Sequence, residues 1–206
     1  MKTFKILKGH NLSLEGIPSK SIVNAKEPDV VSFHPSSLKN TKIKLLVKEK
    51  EAVKIGTPLY FDKKNEKAVY VSSCSGTVDK ILYGPRKSID SIEIINDRKN
   101  LKVSLNSELK VENLLKSGLF TYIRQKPFSR VPDYSSVPKS IFISSMPTEP
   151  FAMDYEYLIN NSDNYIQKGI DSLKSLYDCD IYFNSASNSI FSNLNNVNHA
   201  TFNKLH

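Results

Sequence analysis

The sequence predicts a multidomain α+β protein, in which a β-rich domain is followed by an α/β domain of the Rossmann-like type. Short apolar runs separated by turn residues fill the stretch from residue 42 to 95 and leave little room for helices. Beyond residue 139, a strand pattern, a helix pattern and a second strand pattern follow in turn. We place the border after residue 102, which gives domains of residues 1–102 and 103–206.

Composition excludes several classes of protein. With 39% hydrophobic and 24% charged residues, the 206-residue chain can bury a real core. Its basic start lacks the apolar run of a secretory signal, and no apolar run approaches the roughly 18 residues that cross a bilayer. Cys74 and Cys179 are the only cysteines, so a disulfide framework, a CxxC pair and a thiolate metal set are excluded. A reducing cytoplasm is expected.

The net charge of +8 comes from the N-terminal half. Residues 1–100 carry 19 Lys and Arg against 11 Asp and Glu, whereas residues 101–206 carry 10 of each. Such a surface attracts anions, so a basic binding module is one alternative function. The chain has no RRM, KH or helix-turn-helix signature, and no nucleic acid partner is expected. A solvated, lysine-rich face is the preferred interpretation.

The β domain is predicted from six strand patterns. They cover residues 42–47, 52–53, 58–61, 68–71, 77–82 and 89–95. Glycine or proline marks the turns between them, at Gly56-Thr57-Pro58, Ser75-Gly76 and Gly84-Pro85. Many short strands at close spacing are typical of a small barrel or sandwich.

Part of this domain resembles the biotinyl and lipoyl carrier domains, which are barrel-sandwich hybrids. The matching residues are Val47–Leu59, Phe61–Lys64 and Ser72–Val78. In that family a hairpin tip presents a lysine for cofactor attachment, and Lys63 takes this place. The tip, which we predict to extend from Asp62 to Lys67, is longer and more charged than the attachment signature. We expect an unmodified scaffold, with a carrier domain modified on Lys63 as the alternative.

The α/β domain is predicted from capping residues and apolar spacing. Asn106-Ser107 is the expected cap of a first helix, and Gly118 its C-terminal cap. Strands are predicted at Ser140–Ile143 and Asp180–Phe183, on either side of a helix that begins at Asp163. The apolar side chains of that helix are Ile166, Ile170, Leu173 and Tyr177. After Phe183 the chain is rich in Ser and Asn, and we expect an uncovered sheet edge and an incomplete domain.

Catalytic and cofactor motifs are missing from the sequence. Its seven glycines form neither GxGxxG nor GxxxxGK, so NAD and ATP have no obvious binding loop. No GxSxG elbow is present, and the histidines are scattered at positions 10, 34, 199 and 206. Asp178 and Asp180 flank Cys179, but a helix end followed by a strand explains them as well as a metal does. We predict no catalytic residue and no metal ligand.

The most specific resemblance is to the NqrA family of subunits from the bacterial sodium-translocating NADH:quinone oxidoreductases. Its main motifs are Leu115–Thr121, Arg124–Pro132 and Ile141–Pro150, with weaker matches at Gly9–Gly16 and Phe61–Asn65. The resemblance covers nearly the whole chain and corresponds to the N-terminal part of the family, whose members continue well beyond this length. One departure is Lys50, where the family often has Gly; we expect Lys to take a different turn.

The resemblance implies a peripheral subunit on the cytoplasmic side of the bacterial inner membrane. Its complex is a translocase that passes electrons from NADH to ubiquinone and exports sodium, and its partners are chiefly membrane subunits. Flavins, the iron–sulfur centre and the NADH site lie on those partners, so this chain is expected to hold no cofactor and to be inactive alone. Ubiquinone is a candidate ligand. A distant similarity to the flavin-binding subunit of respiratory complex I places a flavin loop near Gly118–Phe128, but bulky residues there argue against flavin.

One segment has the composition of a contact site for quinone or for a partner subunit. Its candidate residues are Phe120, Tyr122, Arg124, Lys126, Phe128 and Arg130. Aromatic rings can pack a quinone ring, and Arg or Lys can donate to quinone carbonyls or lipid phosphates. The same residue types are enriched where proteins dock, and docking is the preferred interpretation.

Overall fold

The computed structural model describes residues 2–8, 14–16, 19–38, 41–146, 149, 151–159, 163–187 and 189–202. His10 and His206, and parts of the motifs at residues 9–16 and 141–150, lie outside the described residues. The chain forms two compact units, which we call the β unit, Asn24–Ser136, and the α/β unit, residues 1–23 and 137–206. This division departs from a border after residue 102, because the first strand pairs with the last one and residues 111–134 pack within the β unit.

The β unit contains two antiparallel sheets. The four-stranded sheet has the order β2-β8-β7-β4 and the three-stranded sheet the order β3-β5-β6. The strands are β2 (Val30–Phe33), β3 (Ile43–Leu45), β4 (Ala52–Val53), β5 (Pro58–Asp62), β6 (Asn65–Val71), β7 (Gly76–Tyr83) and β8 (Ile89–Asn96). All six predicted strands are confirmed, as is the barrel-sandwich class, and β2 was not predicted.

The core of the β unit is formed by apolar side chains from both sheets. Val78 of β7 and Ile92 and Ile94 of β8 are completely buried, and they pack in one cluster with Leu59 of β5. Burying a side chain of this size contributes roughly 1.5–3 kcal/mol. The alternation of these residues along the strands explains why the sequence pattern predicted this half well.

The first helix is shorter than predicted. Helix α1 covers Val111–Lys116, with Lys110 in the N-cap position, so the predicted cap at Asn106-Ser107 is wrong. The Asn106 side chain instead accepts a hydrogen bond from the backbone N–H of Glu108, which closes a local turn. The predicted C-terminal cap is confirmed, because Gly118 has a φ of 77° in the left-handed region.

Two predictions about turns are wrong. Strand β6 begins at Asn65, so the hairpin tip consists of Lys63 and Lys64 alone and does not extend to Lys67. The Asp62 carboxylate shortens it by accepting a hydrogen bond from the backbone N–H of Lys64 at 3.1 Å. Lys50 does not take a different turn: its φ of 67° lies in the region that favours glycine.

The α/β unit is a four-stranded, all-parallel sheet of order β1-β11-β10-β9. Its strands are β1 (Lys2–Phe4), β9 (Ser140–Ser144), β10 (Asp180–Ala186) and β11 (Asn198–Phe202). Helices α2 (Tyr155–Ile159) and α3 (Asp163–Leu176) lie between β9 and β10. The predicted strand, helix, strand order is confirmed. The expected lack of a closing strand after Phe183 is wrong, because β11 pairs with β10 and β1 pairs with β11.

One face of this sheet is covered. Ile170 of α3 is buried against Ile181 and Phe183 of β10, together with Phe191. His199 is held on this side by a hydrogen-bond contact of 2.8 Å between its Nε2 and the Leu194 carbonyl. Within the described ranges, no helix is long and apolar enough to cross a membrane.

Candidate functional site

The candidate contact residues lie in one loop of the β unit, residues 119–131, which we call the aromatic-basic loop. It follows the cap at Gly118, starts with a 3-10 turn at Leu119–Tyr122 and continues as irregular chain. The backbone N–H of Gln125 donates to the Arg130 carbonyl at 2.7 Å, which closes the outer part of the loop. The motif that carries the family resemblance is therefore a structured excursion from the fold.

The first end of the loop is fixed by close packing on β6. A Cβ atom placed on Gly118 would lie 2.8 Å from the Cγ2 atom of Val71, so the backbone here approaches the strand as closely as glycine allows. Phe120 is 2% exposed and packs with Ala68 and Leu115 in a small separate core. The Thr121 hydroxyl is buried and donates to the Gly118 carbonyl at 2.7 Å.

The second end of the loop is fixed by polar contacts to the same strand. The Asn65 side-chain amide donates to the Pro132 carbonyl at 2.7 Å. The Lys67 ammonium lies 4.5 Å from the centre of the Tyr134 ring, within the range of a cation–π contact. Both ends are thus attached to β6, and sequence reasoning missed Asn65 and Lys67 because nothing in the sequence links them to residues 132–134.

Arg124 is used within the loop itself. Its guanidinium donates to the carbonyl oxygens of Thr121 and, at 3.1 Å, of Ile123. The positive charge of Arg124 also acts on Tyr70, where it opposes the rise in pKa that burial produces. The neighbouring Tyr60 stacks on Tyr70 with 4.7 Å between ring centres, and burial raises the pKa of Tyr60 to about 12. Both phenols therefore stay protonated at neutral pH.

The outer part of the loop is exposed and positively charged. All residues from 124 to 130 are exposed, and the Tyr122 and Phe128 side chains are 80% and 81% exposed. Residues 119–131 include two Arg and one Lys but no Asp or Glu. A large exposed ring is unfavourable in water, so two of them beside uncompensated cations indicate a surface that binds something.

The six predicted residues therefore separate into two groups. Phe120 belongs to the core and cannot contact a ligand from where it lies. The other five are exposed and share the loop: Tyr122, Arg124, Lys126, Phe128 and Arg130. The spacing of these residues did not distinguish Phe120 from Phe128, because an irregular loop has no fixed period.

Lys63, the candidate attachment lysine, lies at the tip of the β5–β6 hairpin with its side chain exposed. Its backbone N–H donates to the Lys42 carbonyl at 2.8 Å, so the tip is held beside the chain that leads into β3. A two-residue turn with an exposed lysine is compatible with the carrier alternative, although the sequence around it lacks the attachment signature.

The region around Cys179 is explained by structure. Cys179 is buried, burial raises the pKa of its thiol, and its carbonyl accepts a hydrogen bond from the Lys174 ammonium at 2.9 Å. Asp180 accepts a hydrogen bond from the Asn198 amide at 3.4 Å. In the described part of the chain, no three His, Cys, Asp or Glu side chains cluster in a way that could hold a metal ion.

Two family models match the chain. The model described as the NqrA N-terminal barrel-sandwich hybrid domain matches residues 4–97, and that described as the NqrA second alpha/beta domain matches residues 105–206. Each match coincides with one of the two kinds of architecture in the structure, an antiparallel double sheet and a parallel sheet with helices.

The curated relatives of the chain are NqrA subunits of Na(+)-translocating NADH-quinone reductases. The relative from Marinomonas sp. (strain MWYL1) is 32% identical, over 98% of this chain and 48% of the relative. Those from Pasteurella multocida (strain Pm70) and Pseudomonas aeruginosa (strain UCBPP-PA14) are each 31% identical, over 89% and 84% of this chain and 44% and 41% of the relative. The chain spans about half the length of the relatives it matches. Taken with the two family models, these similarities show that the chain belongs to the NqrA family of Na(+)-translocating NADH-quinone reductase subunits.

Proposed function

We propose that the chain acts as a peripheral, cytoplasm-facing part of a sodium-translocating NADH:quinone reductase. In this role it supports electron transfer from NADH to ubiquinone coupled to sodium export, and it performs no complete reaction alone. The name that its relatives share supports the reaction. We further propose that flavins and the iron–sulfur centre are held by partner subunits.

The aromatic-basic loop carries the proposal for how the chain joins this assembly. A pocket for a small ligand encloses most of that ligand, whereas the outer loop, residues 124–130, is exposed along its whole length. Aromatic residues and arginine are the side chains that dominate binding at protein interfaces. We therefore propose that Tyr122, Phe128 and Arg130 dock on a sister subunit.

The charge of the loop specifies the surface that it would contact. Arg124, Lys126 and Arg130 have no acidic residue beside them in the loop, so an acidic surface on the partner would complement it. Because these groups are exposed, salt screens their attraction, and association should weaken as ionic strength rises. Contact with ubiquinone is the second candidate, since the same rings can stack on a quinone and the cations can donate to its carbonyls.

The test is the double substitution Phe128→Ala with Arg130→Ala in the assembled pump. If the loop docks on a partner, we expect at least a tenfold loss of co-purifying membrane subunits, because interface residues of this type contribute about 2 kcal/mol or more. Tyr83→Ala is the matched control, since Tyr83 is 60% exposed in the same unit but lies outside the loop. Arg124 is left unchanged because its contacts to backbone carbonyls shape the loop.

Two outcomes separate the candidates. Intact assembly with a raised KM for quinone would assign the loop to quinone instead of a partner. Unchanged assembly together with unchanged quinone kinetics would reject both roles for the loop.

A further inference from the structure

The α/β sheet has a second face that carries aromatic side chains. Phe142 of β9 lies opposite Tyr182 of β10, and the two rings stack with 5.1 Å between their centres. Phe4 of β1 lies opposite Phe202 of β11, and these rings also stack at 5.1 Å. Strand register places both pairs on the same face, because Tyr182 and Ala186 are four residues apart and Ala186 pairs with Phe202.

A depression of about 560 Å³ lies between the two stacked pairs. Asn184 and Ala200, which are partners in the strand register, lie between the pairs and line it. Lys2 is the one formally charged residue among the described residues of its lining, with histidine counted as neutral. The depression is therefore broad, mostly apolar and nearly free of charge.

This face is exposed although the sheet is parallel. Phe142 is 69% exposed and Phe4 is 47% exposed. Parallel sheets occur almost only with both faces covered, because their crossover connections place helices there. Here α3 covers the opposite face, where Ile170 packs on Ile181. Stacked aromatic pairs on the second face match the kind of surface that a further layer would bury.

The dimensions of the face fit a helix. Four strands span three spacings of about 4.8 Å, which gives roughly 14 Å between the outer strands. An α-helix with its side chains is about 10–12 Å across, so one helix can lie on the face with its apolar residues between the stacked pairs. The low charge of the lining requires that the contacting side of this helix be apolar.

We propose that this face docks the polypeptide that follows the matched region in the curated relatives, through an amphipathic helix with an apolar side. The matches support this occupant, because they are to the N-terminal and second domains of the family and to about half the length of each relative. The remaining half is the polypeptide with which this face shares a family. The proposal rests on family membership and is independent of the role proposed for the aromatic-basic loop.

The experiment co-expresses the tagged 206-residue chain with the stretch that follows the matched region in the Marinomonas relative. The amount of that stretch captured by the tag is measured for the unsubstituted chain and for two variants, Phe142→Asp and Phe4→Asp with Phe142→Asp. Tyr165→Asp is the matched control, because Tyr165 is a 74% exposed aromatic residue on α3. Thermal unfolding of each purified variant verifies that the fold is retained.

We expect the unsubstituted chain and the Tyr165 variant to capture the stretch equally, with at least a tenfold loss for Phe142→Asp and no capture by the double variant. Failure of the unsubstituted chain to capture it would overturn the proposal. Equal capture by Phe142→Asp and Tyr165→Asp would overturn it as well. A dimer of the chain alone that Phe142→Asp dissociates would show that a second copy covers the face, and would also reject the proposed occupant.

Discussion

Replacing Gly118 by alanine should destabilise the β unit and loosen the aromatic-basic loop. Gly118 connects α1 to the loop and has a φ of 77°, which an alanine adopts at a cost of about 1–2 kcal/mol. The added Cβ atom would also lie 2.8 Å from Val71 Cγ2 and 3.1 Å from its Cγ1, so the strand or the loop must move. Overpacking of this kind costs about 1–3 kcal/mol. The sum is a loss of roughly 2–5 kcal/mol in the free energy of unfolding.

Urea and thermal unfolding of the full chain measure this change. For a unit of about a hundred residues, such a loss lowers Tm by on the order of 10 °C. Gly169→Ala is the control: Gly169 lies inside α3 with no atom within 4 Å of the added Cβ, and alanine in a helix interior is favoured by about 1 kcal/mol. The two Gly→Ala changes should therefore have opposite signs.

A double substitution separates the two parts of the Gly118 effect. Val71→Ala removes the atoms that the new Cβ would meet, so Gly118→Ala with Val71→Ala should cost less than the sum of the single changes. A Gly118→Ala variant as stable as the unsubstituted chain, within about 0.5 kcal/mol, would refute the argument that close backbone packing fixes the loop on β6.

Three further predictions follow from burial, hydrogen bonding and the hairpin tip. Phe120→Ala should cost about 3–5 kcal/mol in urea unfolding, whereas Phe128→Ala should change stability by less than about 0.5 kcal/mol; equal losses would contradict their opposite burial. The Ser75 hydroxyl donates to the Asp97 carboxylate at 2.5 Å and lowers its pKa from the usual 3.8, so this pair stabilises the fold above that pH and the gain is lost as pH falls through the lowered pKa. Ser75→Ala should move the Asp97 pKa upward in an NMR titration, and an unmoved value would reject the hydrogen bond as its cause. Intact-mass spectrometry should find the 23.3 kDa chain without a lipoyl or biotinyl group on Lys63; an added mass at that residue would establish the carrier alternative.

The sequence predicted best those elements whose pattern is local. Alternating apolar residues located β7 and β8, and the helical spacing of Ile166, Ile170 and Leu173 located α3. Strands β1 and β11 were missed because both are short and partly polar, and they are stabilised by each other across almost the whole chain. Pairing over such a distance leaves no local pattern in the sequence.

The candidate site was predicted in composition but not in arrangement. The segment and its residue types were identified, yet Phe120 belongs to the core and Phe128 lies at the surface, eight residues further on. Their fates depend on how Gly118 and Phe120 pack against β6, and on Asn65 holding Pro132 from the other side. These contacts join residues that are 47 to 67 positions apart, and neither partner carries a motif that names the other.

The most direct test of the central claim is affinity purification of the tagged chain from solubilised native membranes, followed by identification of its partners and an assay of NADH:quinone activity. We expect co-purification of membrane subunits together with activity that sodium stimulates. Recovery of the chain alone, without any membrane partner or such activity, would contradict its proposed place in the sodium pump.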